Sequence, residues 1–359
     1  MPPRFHTLTV AEINRETQDA VSIGFDLPAE LADAFAFQPG QYLTLAAEVD
    51  GEEARRSYSI CSMPGEARLR VGVKRVADGR FSRFVNERLA VGDTMRVMRP
   101  EGRFTALVGG RHDYLLIAAG SGITPMLSIA RTVLGHEPDS TITLIYGNRS
   151  TDAVMFLEEL EDLKDRYLTR FTLVHVLSRE ALDVDLLNGR IDGERIARMA
   201  ESGLIDPQAM DGVFLCGPGE MIEDVSSALR GLGVAEDRIR FERFTPAGEA
   251  PAPRRPSGAV EKVVAKGVPV EVVLDGVRRS FAVTSPEQSV LDAAHAAGIE
   301  LPYSCAGGMC CTCRCRVVEG RTEMAVNFSL QRWEIEAGFT LACQSRPLSE
   351  KLVLDFDAV

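Results

Sequence analysis

Three cysteines near the C-terminus, Cys305, Cys310 and Cys313, follow the spacing C-x4-C-x2-C, and a fourth, Cys343, lies well downstream. Two irons bridged by two sulfides need four thiolates, and this is the spacing by which a plant-type 2Fe-2S cluster takes three of them from one loop. The loop reads Pro302-Tyr303-Ser304-Cys305-Ala306-Gly307-Gly308-Met309-Cys310-Cys311-Thr312-Cys313. Gly307 and Gly308 let the backbone wrap closely around an inorganic core. Ser304, Ala306 and Thr312 are small enough for amide N–H groups to aim at sulfur. Such a cluster moves one electron at a time. Zinc is the alternative, because C-x2-C pairs are common zinc ligands. Zinc ribbons use two separated pairs, whereas this chain has a triplet and a distant single cysteine. Cys311, Cys315 and the upstream Cys61 fall outside the spacing and read as packing residues.

Five further groups carry chemistry. Arg56-Ser57-Tyr58-Ser59 offers a guanidinium that can grip a diphosphate in a fork, a ring that can stack on a flat cofactor, and two hydroxyls. Asp78-Gly79-Arg80-Phe81-Ser82 reads as a turn followed by a helix capped at Ser82, and a helix N-terminus can bind phosphate; an ordinary cap is the plainer reading. Gly120-Ser121-Gly122-Ile123-Thr124-Pro125 follows an apolar run and lets the backbone approach a pyrophosphate. Pro125 fits the first turn of the next helix, where its missing N–H costs nothing. It also stands where the G-x-G-x-x-G fingerprint has its third glycine. Tyr146-Gly147-Asn148-Arg149-Ser150 ends the next apolar run, at the edge where an adenosine ribose lies. An acidic residue there favours NADH and an arginine a 2′-phosphate, so Arg149 and Ser150, helped by Arg179, favour NADPH, with NADH left open. The last group pairs Cys216-Gly217-Pro218 with Glu242 and Phe244.

These residues, taken together, resemble the ferredoxin–NADP reductase superfamily. Arg-x-Tyr-Ser matches its flavin signature, with Arg56, Ser57 and Tyr58 on FAD and the Ser59 hydroxyl at flavin N5. Gly79, Phe81 and Ser82 match its segment at the flavin pyrophosphate. Gly120, Ser121, Gly122, Thr124 and Pro125 match its nicotinamide-nucleotide motif, joined by Asn148, Arg149 and Ser150. Cys216, Gly217 and Pro218 match the place where nicotinamide meets flavin, and Glu242 and Phe244 the flavin's other face. The resemblance implies catalytic roles for Ser59, Cys216 and Glu242, and metal ligation by Cys305, Cys310, Cys313 and Cys343. FAD rather than FMN rests on the resemblance alone. Within the superfamily, the Tyr146–Ser150 segment, Asn188-Gly189-Arg190-Ile191-Asp192-Gly193-Glu194, the cysteine loop and the tail Leu354–Ala358 are similar to the reductase components of phenylacetyl-CoA ring epoxidases. That implies electron flow from NADPH through FAD and a 2Fe-2S cluster to a multisubunit di-iron oxygenase, reached by transient docking. A reductase for another Rieske or di-iron oxygenase is the alternative, and a non-catalytic 2Fe-2S redox sensor a further one.

The elements that must hold these residues form a multidomain chain. Residues 1–107 show period-two patterns, with Val21, Ile23 and Phe25 alternating against Ser22 and Gly24, and Leu69, Val71 and Val73 against Arg70 and Gly72. This predicts an antiparallel flavin-binding β-barrel. Residues 108–245 alternate apolar runs (114–119, 141–146, 171–177, 213–216) with amphipathic segments. They predict an α/β nucleotide domain on a parallel sheet with helices on both faces. Residues 246–260 read as a Pro- and Ala-rich linker. Residues 261–359, with a hairpin, a helix capped by Ser289 and then the cysteine loop, predict a β-grasp ferredoxin-type domain.

At 359 residues, 45% of them hydrophobic, the chain has material for several cores. Its net charge of −12 argues against a nucleic-acid partner. There is no uninterrupted apolar run long enough for a transmembrane helix and no apolar stretch after the N-terminal Met1-Pro2-Pro3. Cysteines grouped at metal-ligand spacing point to reduced thiols and the cytoplasm. The five histidines form no motif.

Overall fold

The computed structural model of this chain describes residues 5–244 and 254–358. The chain divides into two compact units, one within residues 4–248 and the other within 249–359. Most of the expected linker, residues 246–253, lies outside the described residues. Its last three residues, Gly258 to Val260, are helical instead. Ser257 accepts from Val260 N and caps a helix there, so a capping signal ended the Pro-rich stretch earlier than composition alone implies.

The first unit opens with strands β1 (Phe5–Thr17), β2 (Ala20–Asp26), β3 (Tyr42–Val49), β4 (Glu52–Ser59) and β5 (Arg68–Lys74), then helix α1 (Arg80–Glu87) and strand β6 (Thr94–Met98). These strands make one antiparallel sheet in the order β4-β3-β6-β1-β2-β5. The sheet curls until its two edges meet. Just past β4, Ile60 bridges Val71 of β5, and Cys61 N donates to Arg70 O at 2.9 Å. The alternating residues fill the inside: Val21, Ile23, Phe25, Leu69, Val71 and Val73 are buried beside Leu43, Leu45 and Ile60. Gly40 holds a turn at φ +100°, where a Cβ would lie 1.9 Å from the Phe104 carbonyl oxygen, so no other residue fits there.

The chain continues through β7 (Asp113–Ala119), α2 (Ile123–His136), β8 (Thr141–Asn148), α3 (Leu157–Arg166), β9 (Phe171–Leu177), α4 (Gly193–Glu201), β10 (Gly212–Gly217), α5 (Gly219–Gly231) and β11 (Ile239–Arg243). The five strands are parallel, in the order β11-β10-β7-β8-β9. Leu116 and Ala118 of β7 face the core built with α2 and α3, while Leu115 and Ile117 face the core built with α4 and α5. Burial on both faces explains the unbroken apolar runs. Strand order reverses between β7 and β10, and ligands of such sheets bind at the carboxyl ends beside that point.

The second unit contains α6 (Gly258–Val264), β12 (Val268–Leu274), β13 (Val277–Val283), α7 (Val290–Ala296), β14 (Arg314–Glu319), β15 (Thr322–Met324), α8 (Arg332–Glu336), β16 (Phe339–Leu341), β17 (Ser345–Pro347) and β18 (Leu352–Asp355). Its main sheet runs β13-β12-β18-β14-β16, with β12 and β18 parallel and the other pairs antiparallel. Asp275 and Gly276 both take positive φ between β12 and β13, which is the tight turn that matches strand twist. The Asp357 carboxylate accepts from both of their amides, at 2.8 and 2.7 Å. No described helix is long and apolar enough to cross a membrane.

Candidate functional site

The carboxyl ends of β7 and β10 bring two loops into contact. Gly120 takes φ +54°, and its carbonyl accepts from the Tyr146 hydroxyl at 2.9 Å. Gly122 lies so close to β10 that a Cβ would fall 2.2 Å from the Cys216 carbonyl oxygen. Thr124 is buried in the first turn of α2, and its hydroxyl donates to Ser121 O at 3.0 Å. Pro125 is buried beside it. Gly217 accepts from Phe244 N at 3.0 Å, and Pro218 precedes the first residue of α5. Two helix N-termini therefore open onto one crevice, an arrangement suited to anions.

The barrel meets this crevice through β4. The Ser59 hydroxyl donates to Glu242 Oε2 at 2.9 Å, joining β4 to β11 across the domain boundary. Burial pushes the Glu242 carboxyl up to about 7, against the lowering effect of that hydrogen bond. Cys216 is fully buried, and burial with the neighbouring Glu242 pushes its thiol well up. It is therefore a neutral thiol packed in the core, and no nucleophile at physiological pH. Tyr58 is half-buried, its ring 5.9 Å from Phe81. Ser57 shares a hydrogen bond with Thr44. Arg56 is exposed, with Nη1 donating to the Arg55 carbonyl at 2.7 Å.

The segment after β5 differs in one respect from the sequence reading. Helix α1 starts at Arg80, with Gly79 in the cap position and no side-chain cap. Ser82 lies inside the first turn. Its oxygen accepts from Val76 N at 3.2 Å and donates to Gly79 O at 3.1 Å, so it braces the turn rather than capping the helix. Phe81 is in the barrel core.

At the end of β8, Asn148 is nine-tenths buried and its Nδ2 has no hydrogen-bond partner. Arg149 and Arg179 are exposed and adjacent, since Arg179 N donates to Arg149 O at 2.7 Å. Ser150 is bonded to Asp152. Glu180 accepts from Thr151 N and Oγ1 at 2.7 and 2.8 Å, which fixes the turn that follows.

The cysteine loop tests the fit of an iron–sulfur cluster. Gly307 N and Met309 N donate to Cys305 Sγ at 3.3 and 3.4 Å, and Cys305 N to Cys310 Sγ at 3.5 Å. Amides aimed at sulfur stabilise thiolates, and the Cys305 thiol is held low by its contact with Cys310 and by these amides. Cys313 lies beside Cys343, and that contact, with burial, raises its thiol. The four sulfurs thus fall into two pairs, Cys305 with Cys310 and Cys313 with Cys343. Among the described residues, no three or more His, Cys, Asp or Glu side chains converge on one ion. Two irons with two protein thiolates each fit this better than a single tetrahedral zinc. Ala306 and Cys311 take positive φ at +47° and +58°, a conformation costly outside glycine. Cys315 is buried in β14 opposite Thr340 of β16, and burial pushes Cys61 up to about 12, so both are packing groups.

The same three modules are found by comparison. Family profiles match an oxidoreductase FAD-binding domain over residues 7–106, an oxidoreductase NAD-binding domain over 116–227 and a 2Fe-2S iron-sulfur cluster binding domain over 272–348. The chain is 47% identical to a component of the 1,2-phenylacetyl-CoA epoxidase of Escherichia coli K12, over 99% of this chain and 98% of that one. This chain belongs to that family of flavin and iron–sulfur reductases. It is also 37% identical, over 97% of its length and 96% of the relative's, to the ferredoxin reductase component of 3-ketosteroid-9-alpha-monooxygenase from Rhodococcus rhodochrous. Phthalate dioxygenase reductase shares the fold, with a TM-score of 0.61, 23% identity and 98% of each chain covered. The reductase is thus an NAD(P)H-dependent oxidoreductase with FAD-binding, NAD-binding and 2Fe-2S domains.

Two residues next to the cysteines carry no motif in the reductase's sequence. Gln344 is buried, and its Nε2 donates to Ala306 O at 2.9 Å and to Cys343 Sγ at 3.6 Å. It ties the fourth cysteine to the loop of the other three, and only its place beside Cys343 hints at this. Arg314, next to Cys313, pairs with the buried Glu334 at 3.0 Å, a contact between residues too far apart in sequence to be paired by reading.

Proposed function

We propose that this reductase takes electron pairs from NADPH and delivers them singly to the di-iron oxygenase of a phenylacetyl-CoA ring epoxidase, by transient docking in the cytoplasm. The 47% identity to the epoxidase component over nearly the whole chain supports the choice of partner. All the cysteines are free thiols, which suits a reducing compartment. A flavin supplies the two-to-one conversion of electrons and an iron–sulfur cluster the one-electron relay.

The chain's own residues position and tune these groups. Arg56 and the amides at the start of α1 would hold the flavin diphosphate. Tyr58 would cover the ring system. Ser59 and Glu242 would carry a proton between Ser59 Oγ and Glu242 Oε2 at neutral pH. The glycine loop Gly120–Gly122, with Thr124 and Pro125, would seat the dinucleotide diphosphate, and Cys216, Gly217, Pro218 and Phe244 would wall the nicotinamide. Asn148 offers its unpartnered amide to the nucleotide, and Arg149, Ser150 and Arg179 would take the 2′-phosphate. Cys305 and Cys310 would ligate one iron, and Cys313 and Cys343 the other.

The observation that best supports this reading is the Ser59–Glu242 bond, which links β4 of the barrel to β11 of the parallel sheet. Anaerobic titration of the holoprotein with NADPH tests it. Flavin absorbance should bleach, the cluster bands should follow, and NADH should act at a higher concentration. An iron centre that stays oxidised after the flavin is reduced rejects the electron path. The Rhodococcus relative supports a second reading, service to a different oxygenase. Failure to support turnover by a phenylacetyl-CoA oxygenase would favour it.

A further inference from the structure

Strand β5 carries a glycine where the barrel needs none. Gly72 is buried in mid-strand, and a glycine there weakens a strand unless another backbone or ligand must come close. What comes close is the nucleotide domain. A Cβ at position 72 would lie 2.6 Å from Thr124 Cγ2, 3.1 Å from Phe156 Cζ and 3.2 Å from Met155 Cε. Thr124 belongs to the glycine loop. Met155 and Phe156 follow the segment that leaves β8 with Asn148, Arg149 and Ser150. One point on the barrel therefore touches both segments read as holding the dinucleotide.

The surroundings brace that point. Arg70 lies two residues away on the same side of the pleat. It pairs with Glu159 of α3 at 2.5 Å, and its guanidinium is 5.9 Å from the centre of the Phe156 ring. Arg131 of α2 pairs with Glu66, in the loop before β5, and at 3.5 Å with Glu159. Within the seam, buried Ser128 donates to Ser62 O at 2.7 Å. Phe156 itself takes φ +58°, which for a bulky residue persists only where the neighbours impose it. Its N–H is given to the Glu16 carboxylate of β1 at 3.2 Å.

We propose that Gly72, braced by Arg70, is a positioning residue that sets how closely the glycine loop sits on the flavin barrel, and so how a bound dinucleotide meets a bound flavin. The inference rests on the reading of these domains as flavin and NADPH sites. Thr124 cannot swing aside for an added methyl. Its χ1 is stiff, and its hydroxyl is bonded to Ser121 O at 3.0 Å. The glycine loop must move instead, and a misplacement of about 1 Å can cost up to roughly a hundredfold in rate.

The test uses the holoprotein with Gly72→Ala. Flavin content and the rate of flavin reduction by dithionite should match the parent. Flavin bleaching by saturating NADPH should slow by about tenfold or more. Thr124→Ser in the same chain removes the Cγ2 that the new methyl strikes. Because Thr124 itself lies in the proposed dinucleotide seat, the double variant is compared with Thr124→Ser alone: it should lose far less rate than Gly72→Ala loses against the parent, and its thermal midpoint should rise above that of Gly72→Ala alone. Bleaching at the parental rate in Gly72→Ala overturns the proposal, and so does a loss that Thr124→Ser fails to relieve. A parent that NADPH does not bleach rejects the functional reading instead. If Gly72→Ala yields no folded protein, Glu159→Gln loosens the brace without adding an atom. Slower bleaching in that variant upholds the proposal, and an unchanged rate overturns it.

Discussion

Glu242 accepts a hydrogen bond from Ser59 and still holds its proton to about neutrality, because burial outweighs that bond. Its ordinary value is 4.5, so between that pH and about 7 the carboxyl is neutral here where an exposed one would be charged. A flavin seated at Ser59, as proposed above, would gain negative charge there on reduction, and a neutral carboxyl would oppose that charge less than a carboxylate does. The rate of flavin reduction by NADPH should therefore fall as pH rises through about 7. Glu242→Gln, neutral throughout, should flatten that limb, and stopped-flow rates across pH with each variant check it. A limb that survives in Glu242→Gln assigns the titration to another group. Cys216 is no candidate, since its thiol is pushed well above neutrality. The four cysteines proposed as ligands were legible because a plant-type 2Fe-2S cluster would impose such a spacing. Gln344 was not, because a glutamine that donates to Cys343 Sγ has no distinctive neighbours in sequence.

At the level of elements, serines show how far local chemistry can be read. Ser289 does what its position predicts. It accepts from Asp292 N, while Asp292 accepts from the Ser289 backbone, closing a capping box at α7. Ser289→Ala should cost about 1 kcal/mol of stability in the second unit, read from the denaturant midpoint with the cluster spectrum as probe. A shift indistinguishable from zero would mean that the tertiary contacts of α7 hold it without its cap. Ser82 looks alike in sequence, yet it bonds to Val76 and Gly79, because the turn at Gly79 starts the helix three residues sooner than a cap at Ser82 would. Strand alternation was read with similar partial success. Val21, Ile23, Phe25, Leu69, Val71 and Val73 fill the barrel as their period requires. The other face of β5, which carries Arg70 and Gly72, does not meet solvent. It meets α3 and the glycine loop, and a period of two cannot distinguish water from a neighbouring domain. The tail Leu354–Ala358 carried meaning only by resemblance, until Asp357 was found on the amides of the Asp275-Gly276 turn.

For the whole molecule, the decisive fact is that flavin, nucleotide and cluster domains share one chain. A covalent tether keeps two groups at effective concentrations of order millimolar. That is about a thousandfold above the micromolar protein of a rapid-mixing experiment, so transfer within a chain should outrun transfer between chains. Charge works in the same direction. Each copy carries −12, and like-charged copies repel, most strongly where the Debye length is long at low salt. After mixing with excess NADPH, the rate constant for cluster reduction should stay constant under serial dilution of the protein. It should also be insensitive to added salt. Transfer between copies would instead scale with concentration and quicken as salt screens the repulsion. A rate that falls in proportion to dilution would show that each cluster draws its electron from another molecule's flavin, and that joining the domains in one chain serves assembly with the oxygenase rather than speed.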